Sequence, residues 1–270
     1  MAWFTLGRKL DPRYKTNLWI AVASVAVVVS AWPATGSFAS GLGLGAGFFL
    51  CWALAREVDP LNDLSAFVSA ALFLVFSPLY DGIDLAVLFW VLLLLRLMSG
   101  ICGKVPAAFD FAALLGLSGY LAWSKESPLF LIFLVASLFF AHWRYGGRRQ
   151  TGTALLAAIP LSVAGVLLRP TWRVALLPGV SMAFGGVAAT VLLGFAVADM
   201  RRREQTASDD LGNPLDMKWV ALAVVFLVLV LSAFWAFGGV TIMTRLNLLA
   251  SLAGVFFFDM VVCFRERRSP

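Results

Sequence analysis

From residue 17 to residue 263 the chain is a succession of apolar runs, broken only by short polar stretches. That pattern constrains the fold more than any motif does. About 20 apolar residues cross a hydrocarbon core of roughly 30 Å, while soluble domains carry about a quarter of their residues charged. Here 13% are charged and 61% are apolar. The expected fold is all-α: a polytopic integral membrane helical bundle of about ten transmembrane helices, with the lipid bilayer as its main partner.

The ten apolar segments span 17–33, 37–55, 64–80, 84–99, 107–123, 128–143, 153–168, 174–198, 218–236 and 239–263. The break at Pro33 to Gly36 is brief, so residues 17–55 can be read as one crossing or two. A basic segment, 1–16, precedes the helical domain of 17–263, and a basic tail, 264–270, follows it. Residues 200–217, which include Gly212 and Pro214, read as a flexible polar loop. Ten crossings divide into five plus five, the arrangement of inverted repeats. Short resemblances between the halves, such as LLGLSGY at 114–120 and LLASLAGV at 248–255, are all that favours the repeat.

Cationic residues set the expected orientation. With ten crossings and a cytoplasmic N-terminus, Lys125, Arg169 and Arg173 face outward and Arg245 lies within a helix. The remaining 17 of the 21 Lys and Arg lie on the cytoplasmic side. The net charge of +6 therefore reports sidedness, not nucleic-acid binding. The location expected is a bacterial cytoplasmic membrane, an inner membrane, with both termini cytoplasmic. Trp19, Trp32, Trp52, Trp123, Trp143, Trp219 and Trp235 fall near helix ends, as an interfacial belt requires, and Trp172 lies in a loop. Trp90, deep in the fourth segment, reads as packing.

Three cysteines and one histidine, His142, give no Cys/His metal set. No cofactor is expected from them. The glycine run SGLGLGAG at 40–47 lacks a nucleotide-loop order; its four-residue spacings (Gly41/Gly45 and Gly43/Gly47) let helices approach closely. Gly179, Gly185, Gly186 and Gly194 read the same way, and Pro178 as a break in the eighth helix.

Charges inside helices carry the functional expectations, because each is costly in a bilayer. Arg96 and Asp110 lie at similar depth and are expected to pair. Segment ten gathers Thr244, Arg245, Asn247, Ser251 and Asp259 on one side, facing the bundle interior. Arg245 and Asp259 are about 21 Å apart along the axis, so each needs its own partner. The stretch LAREVDPLND at 54–63 places Glu57, Asp59 and Asp63 at one surface, as helix-terminating and capping residues or as ligands for Mg²⁺. The NDxxDxxxD pattern of membrane prenyltransferases is not completed, since Leu64, Ser65 and Ala66 follow Asn62-Asp63.

Three functions fit. The first is a small transporter or permease with a polar path lined by the last helix, using Arg245, Asp259, Arg96, Asp110, Asn247 and Thr244 on a small molecule, ion or lipid. The second is a membrane-embedded enzyme acting on a lipid or polyprenyl phosphate, with Mg²⁺ held by Glu57, Asp59 and Asp63. The third is a non-catalytic subunit that binds other membrane chains or copies of itself.

Overall fold

The computed structural model describes residues 4–8, 11–77, 82–168, 180–203 and 207–266. Within them the chain forms ten helices: α1 (Lys15–Thr35), α2 (Phe38–Val58), α3 (Asp63–Phe76), α4 (Leu85–Ser99), α5 (Ala108–Ser124), α6 (Leu129–Arg144), α7 (Arg149–Leu168), α8 (Val180–Arg203), α9 (Met217–Phe237) and α10 (Ile242–Glu266). The break after Pro33 is real: Gly36 ends α1 at φ 66°, and Ser37 caps α2 by accepting the Ser40 N–H. Residues 17–55 are therefore two helices. Pro178, Gly179, Trp172, Arg169 and Arg173 lie outside the described residues.

Among the described residues five helices are long and apolar enough to cross a membrane: α1, α2, the Phe184–Arg203 part of α8, α9, and α10 to Val262. Helices α3, α4 and α6 are apolar but shorter. The apolar helices make this a membrane-embedded protein. Valines 22, 25 and 29 of α1 and Leu156, Leu167, Phe184 and Leu192 of α7 and α8 are exposed, as a lipid-facing surface requires.

At the centre stands α4, with Leu88, Trp90, Val91 and Leu94 wholly buried, packed on α2, α5, α6, α9 and α10. The Trp90 indole N–H donates to Ser118 Oγ at 2.8 Å and its ring meets Phe130 edge-on. It is a packing residue whose one polar atom is satisfied. Trp19, Trp32, Trp123 and Trp143 are exposed near helix ends, but Trp52 and Trp235 are buried and do not belong to the belt.

Small residues set which helices touch. A Cβ on Gly41 or Gly45 would meet the α1 backbone at 3.0 Å or less, and one on Gly254 would lie 2.3 Å from Ser69 of α3. One on Gly194 would strike Val228 of α9, and one on Gly186 the Trp235 ring. The expected glycine seams thus form α1–α2 and α8–α9, whereas Gly185 faces open space. In the helix contacts of the two five-helix halves, pairs α1–α2 and α6–α7, and α4–α5 and α9–α10, correspond; α3, however, packs on α2 and α10, while α8 packs on α9 and α10.

The polar stretch after α8 differs from the flexible loop expected. Helix α8 continues to Arg203, and Ala207–Ser208 pairs antiparallel with Pro214–Leu215. Ala207 and Leu215 join Ile101, Cys102, Met217 and Val220 in a small apolar cluster. Asp209 closes the turn, accepting the N–H groups of Leu211 and Asn213 at 2.9 Å each. Gly254→Val is expected to push α3 off α10 and cost about 1–3 kcal/mol. Gly116→Ala, where a Cβ meets nothing, should not lower the melting temperature of the purified protein.

Candidate functional site

The three carboxylates of the α2–α3 connection do not converge. Glu57, at the end of α2, is buried and pairs with Arg96 of α4, Nε to Oε1, at 2.8 Å. Asp59 accepts the Leu61 and Asn62 N–H groups in a turn forced by Pro60, and lies 3.1 Å from the Arg201 guanidinium of α8. Asp63 pairs with Arg56 and accepts the hydroxyls of Tyr14, at 2.8 Å, and Thr16, at 3.1 Å. Each carboxylate thus has a different arginine. No group of three or more Asp, Glu, His or Cys poised to hold a metal occurs among the described residues. The Mg²⁺ cluster expected at Glu57, Asp59 and Asp63 is not assembled, because neighbouring helices supply a cation to each member. Asn62 occupies the cap position of α3, but its side chain turns back to Asp59.

The expected Arg96–Asp110 pair is also absent, and the reason lies in the N-terminal segment. Asp110 accepts the Thr5 N–H at 2.9 Å, the Thr5 hydroxyl at 2.5 Å and the Ala107 N–H at 2.6 Å. Arg96 donates from Nη1 to the Leu6 carbonyl at 3.1 Å. Residues 4–8 thus run between the two groups and bond to each. Leu6 is buried, and Arg8 bridges Asp210, at 2.6 Å, and Glu57, at 3.7 Å. Sequence reasoning assigned this segment only a charge. Its contacts sit between 49 and 202 residues away along the chain, beyond any local pattern.

Asp259 of α10 pairs with Arg201, which Asp59 also contacts. Arg201 and Asp59 are wholly buried, and Asp259 is nearly so. Two carboxylates, one on α10 and one in the α2–α3 turn, therefore share one guanidinium at the protein interior, tying α8 to both. Arg201 lay in the presumed loop; its one sequence signal was the Arg201-Arg202-Arg203 run directly after an apolar helix. Arg202 and Arg203 are exposed, so only the third dimension distinguishes the three.

The remaining polar residues of α10 serve its neighbours. Thr244 accepts the Asp84 N–H at 2.8 Å and meets the Thr241 hydroxyl, while Asp84 accepts the Thr241 N–H at 3.1 Å and pairs with Lys125. Asn247 donates to the Gly47 carbonyl of α2 at 2.9 Å. Arg245 is buried, stacks over the Trp235 ring at 5.4 Å and donates to the Val240 carbonyl. Among the described residues it has no carboxylate partner, and its Nε makes no hydrogen bond.

A cavity of about 800 Å³ opens at the end of the bundle that holds the N-terminal segment. Its walls come from α2 (Phe49, Leu50, Ala53, Glu57) and α4 (Phe89, Leu92, Arg96), with the N-terminal segment and the 208–211 turn at its mouth. No residue of α10 lines it, so the last helix braces the bundle at this end rather than walling the cavity. Of the expected site residues, Glu57 and Arg96 reach the cavity; Asp59, Asp63, Asp110, Thr244, Arg245, Asn247 and Asp259 do not.

At the mouth, partial burial of Asp209 opposes its ionisation. Hydrogen bonds from the Asn213 side chain and backbone and from the Leu211 N–H outweigh it, holding this carboxyl below the usual carboxylate range. No family model matches the chain, and neither a curated protein nor a solved structure is similar enough to it to align.

Arg201→Ala leaves two buried carboxylates without their shared cation and is expected to cost about 3–5 kcal/mol, measured by thermal unfolding in detergent. Arg202→Ala should change stability by less than about 0.5 kcal/mol. For Asp209, the lowered value means that its contribution to the turn is complete above the ordinary carboxylate range. The contribution is lost as pH falls through the lowered value. The carboxyl carbon NMR signal of Asp209 should accordingly titrate with a midpoint below about 3.9.

Proposed function

We propose that this chain is a small transporter or permease-like protein that crosses a bacterial cytoplasmic membrane ten times, both termini cytoplasmic. The observation that carries this reading is the cavity between α2 and α4, walled by the buried Glu57 and its partner Arg96. Ionisable groups placed on helix faces inside a membrane bundle, beside a cavity, mark substrate paths. The cavity is the cytoplasmic vestibule of such a path.

The opposite end supports the same reading. There Asp84, Lys125, Thr241 and Thr244 form a closed polar lattice that joins the start of α4, the end of α5 and the start of α10. In this reading the lattice is the outer gate, and the last helix contributes the gate, not the vestibule wall. Arg245, just inside it, is the outward-side anion contact. Asp259, which shares the Arg201 guanidinium with Asp59, is the coupling-cation or proton contact. The 14-residue α3, about 21 Å long, crosses by thinning the bilayer or using its flanks.

The enzyme alternative loses its basis in the donor set, because Glu57, Asp59 and Asp63 would each have to leave an arginine before sharing a metal. Cysteine accessibility tests the transporter reading. With Cys51, Cys102 and Cys263 replaced by alanine, Ala53→Cys should react with a membrane-impermeant thiol reagent only from the cytoplasmic face. Lys125→Cys should react only from the other face. Labelling of both positions from one face, or no labelling of Ala53→Cys from either, rules the vestibule out.

A further inference from the structure

We infer that the vestibule takes a small zwitterion with an apolar body, for which the chain's own segment Phe4–Arg8 competes. The inference rests on the vestibule reading and adds its substrate class.

The contacts of the N-terminal segment define the chemistry. Arg96, a donor, receives a carbonyl oxygen, that of Leu6, at 3.1 Å. Glu57, an acceptor, receives a second cation, Arg8, at 3.7 Å. In the same segment the Leu6 side chain is buried, with 1% of its surface exposed. The segment therefore offers an anion-like oxygen to the guanidinium, a cation to the carboxylate, and an apolar group beside both. A molecule carrying a carboxylate, an ammonium and an apolar side chain close together offers the same three features.

Three further observations narrow the class. Glu57 Oε2 is buried with no hydrogen-bond partner, so an ammonium can bind this carboxylate while Arg96 keeps Oε1. A buried carboxylate oxygen without a hydrogen-bond partner is costly, which gives an incoming N–H donor a specific target. Basic and acidic side chains lining the cavity are equal in number, four of each, so a solute with a net charge has no excess of counter-charge to meet. Phe49, Leu50, Phe89 and Leu92 give the α2 and α4 walls an apolar and aromatic face, while Thr5, Asn17 and Ser208 add neutral polar groups elsewhere in the lining. The volume, about 800 Å³, is ample for an amino-acid-sized solute and lies within the range of small-molecule pockets.

Arg8 holds Asp210 more closely than Glu57, at 2.6 Å against 3.7 Å, so it can leave Glu57 without losing its nearest partner. A zwitterion displaces the Arg8–Glu57 and Leu6–Arg96 contacts together, leaving the Thr5–Asp110 anchor in place.

The test is equilibrium binding of radiolabelled phenylalanine to the purified full chain in lipid nanodiscs, with two single-charge competitors. Phenylalaninamide lacks the carboxylate and N-acetylphenylalanine lacks the ammonium. Saturable binding is expected, with each competitor at least about 10-fold weaker than unlabelled phenylalanine, the size of one charge-assisted hydrogen bond. Arg8→Gln, in the terminal segment and outside the helical core, should bind several-fold tighter because the internal competitor is weakened. Glu57→Gln should bind more weakly. Equal potency of the two competitors and phenylalanine overturns the inference. So does the lack of saturable binding at millimolar concentration to both the native chain and Arg8→Gln. If Ala53→Cys labels from the cytoplasmic face in that case, the substrate class alone falls; if it does not label, the vestibule falls with it.

Discussion

Arg201 is wholly buried between Asp59 and Asp259, and that arrangement sets the terms for this end of the bundle. A guanidinium withdrawn from water loses solvation worth several kcal/mol, which only close, well-aimed anions restore. The anions come from the α2–α3 turn and from α10, so three distant pieces of chain must meet at one point. Once they meet, α8 is fixed against α10, the hairpin that follows α8 lies beside the cavity, and Asp210 comes within reach of Arg8.

The same requirement, that each costly group find a partner inside the protein, shapes the rest. Glu57 takes Arg96, Asp63 takes Arg56, and Asp84 takes Lys125. In the middle of the bundle weaker donors do this work: Asn247 to the Gly47 carbonyl, Cys51 to the Ser69 carbonyl, Ser69 to the Ser251 carbonyl. These bonds form where glycines let backbones close up, as Gly254 does against Ser69. Small residues and short hydrogen bonds therefore make a tight α2–α3–α10 wedge. Between α2 and α4 the facing side chains are large, Phe49 and Phe89 among them, and there the bundle leaves a cavity.

Much of this was legible in the chain. Apolar run length gave ten helices, and each observed helix overlaps its expected span. The glycine spacings at 41/45 and the packing role of Trp90 followed from geometry and size. The inward face of the last helix followed from the cost of placing Thr244, Asn247 and Asp259 in lipid. What failed was pairing. Arg96 and Asp110 share a depth, yet the N-terminal segment takes both. Glu57, Asp59 and Asp63 share a decapeptide, yet each turns to an arginine from elsewhere. Arg201 looked like loop because its neighbours are polar, although only its side chain turns inward.

The sequence by itself determined the solvent and the elements: a lipid-facing helical protein, the number and approximate spans of its helices, and the residues too polar to face lipid. Hydropathy and helix period are local quantities, readable within a window of about 20 residues. Only the tertiary structure decided which cation neutralises which carboxylate, and hence where the cavity and its charges lie. Those partners sit between 7 and 202 positions apart, from Arg56–Asp63 to Arg8–Asp210. Electrostatic energy depends on distance through space, to which separation along a folded chain is no guide.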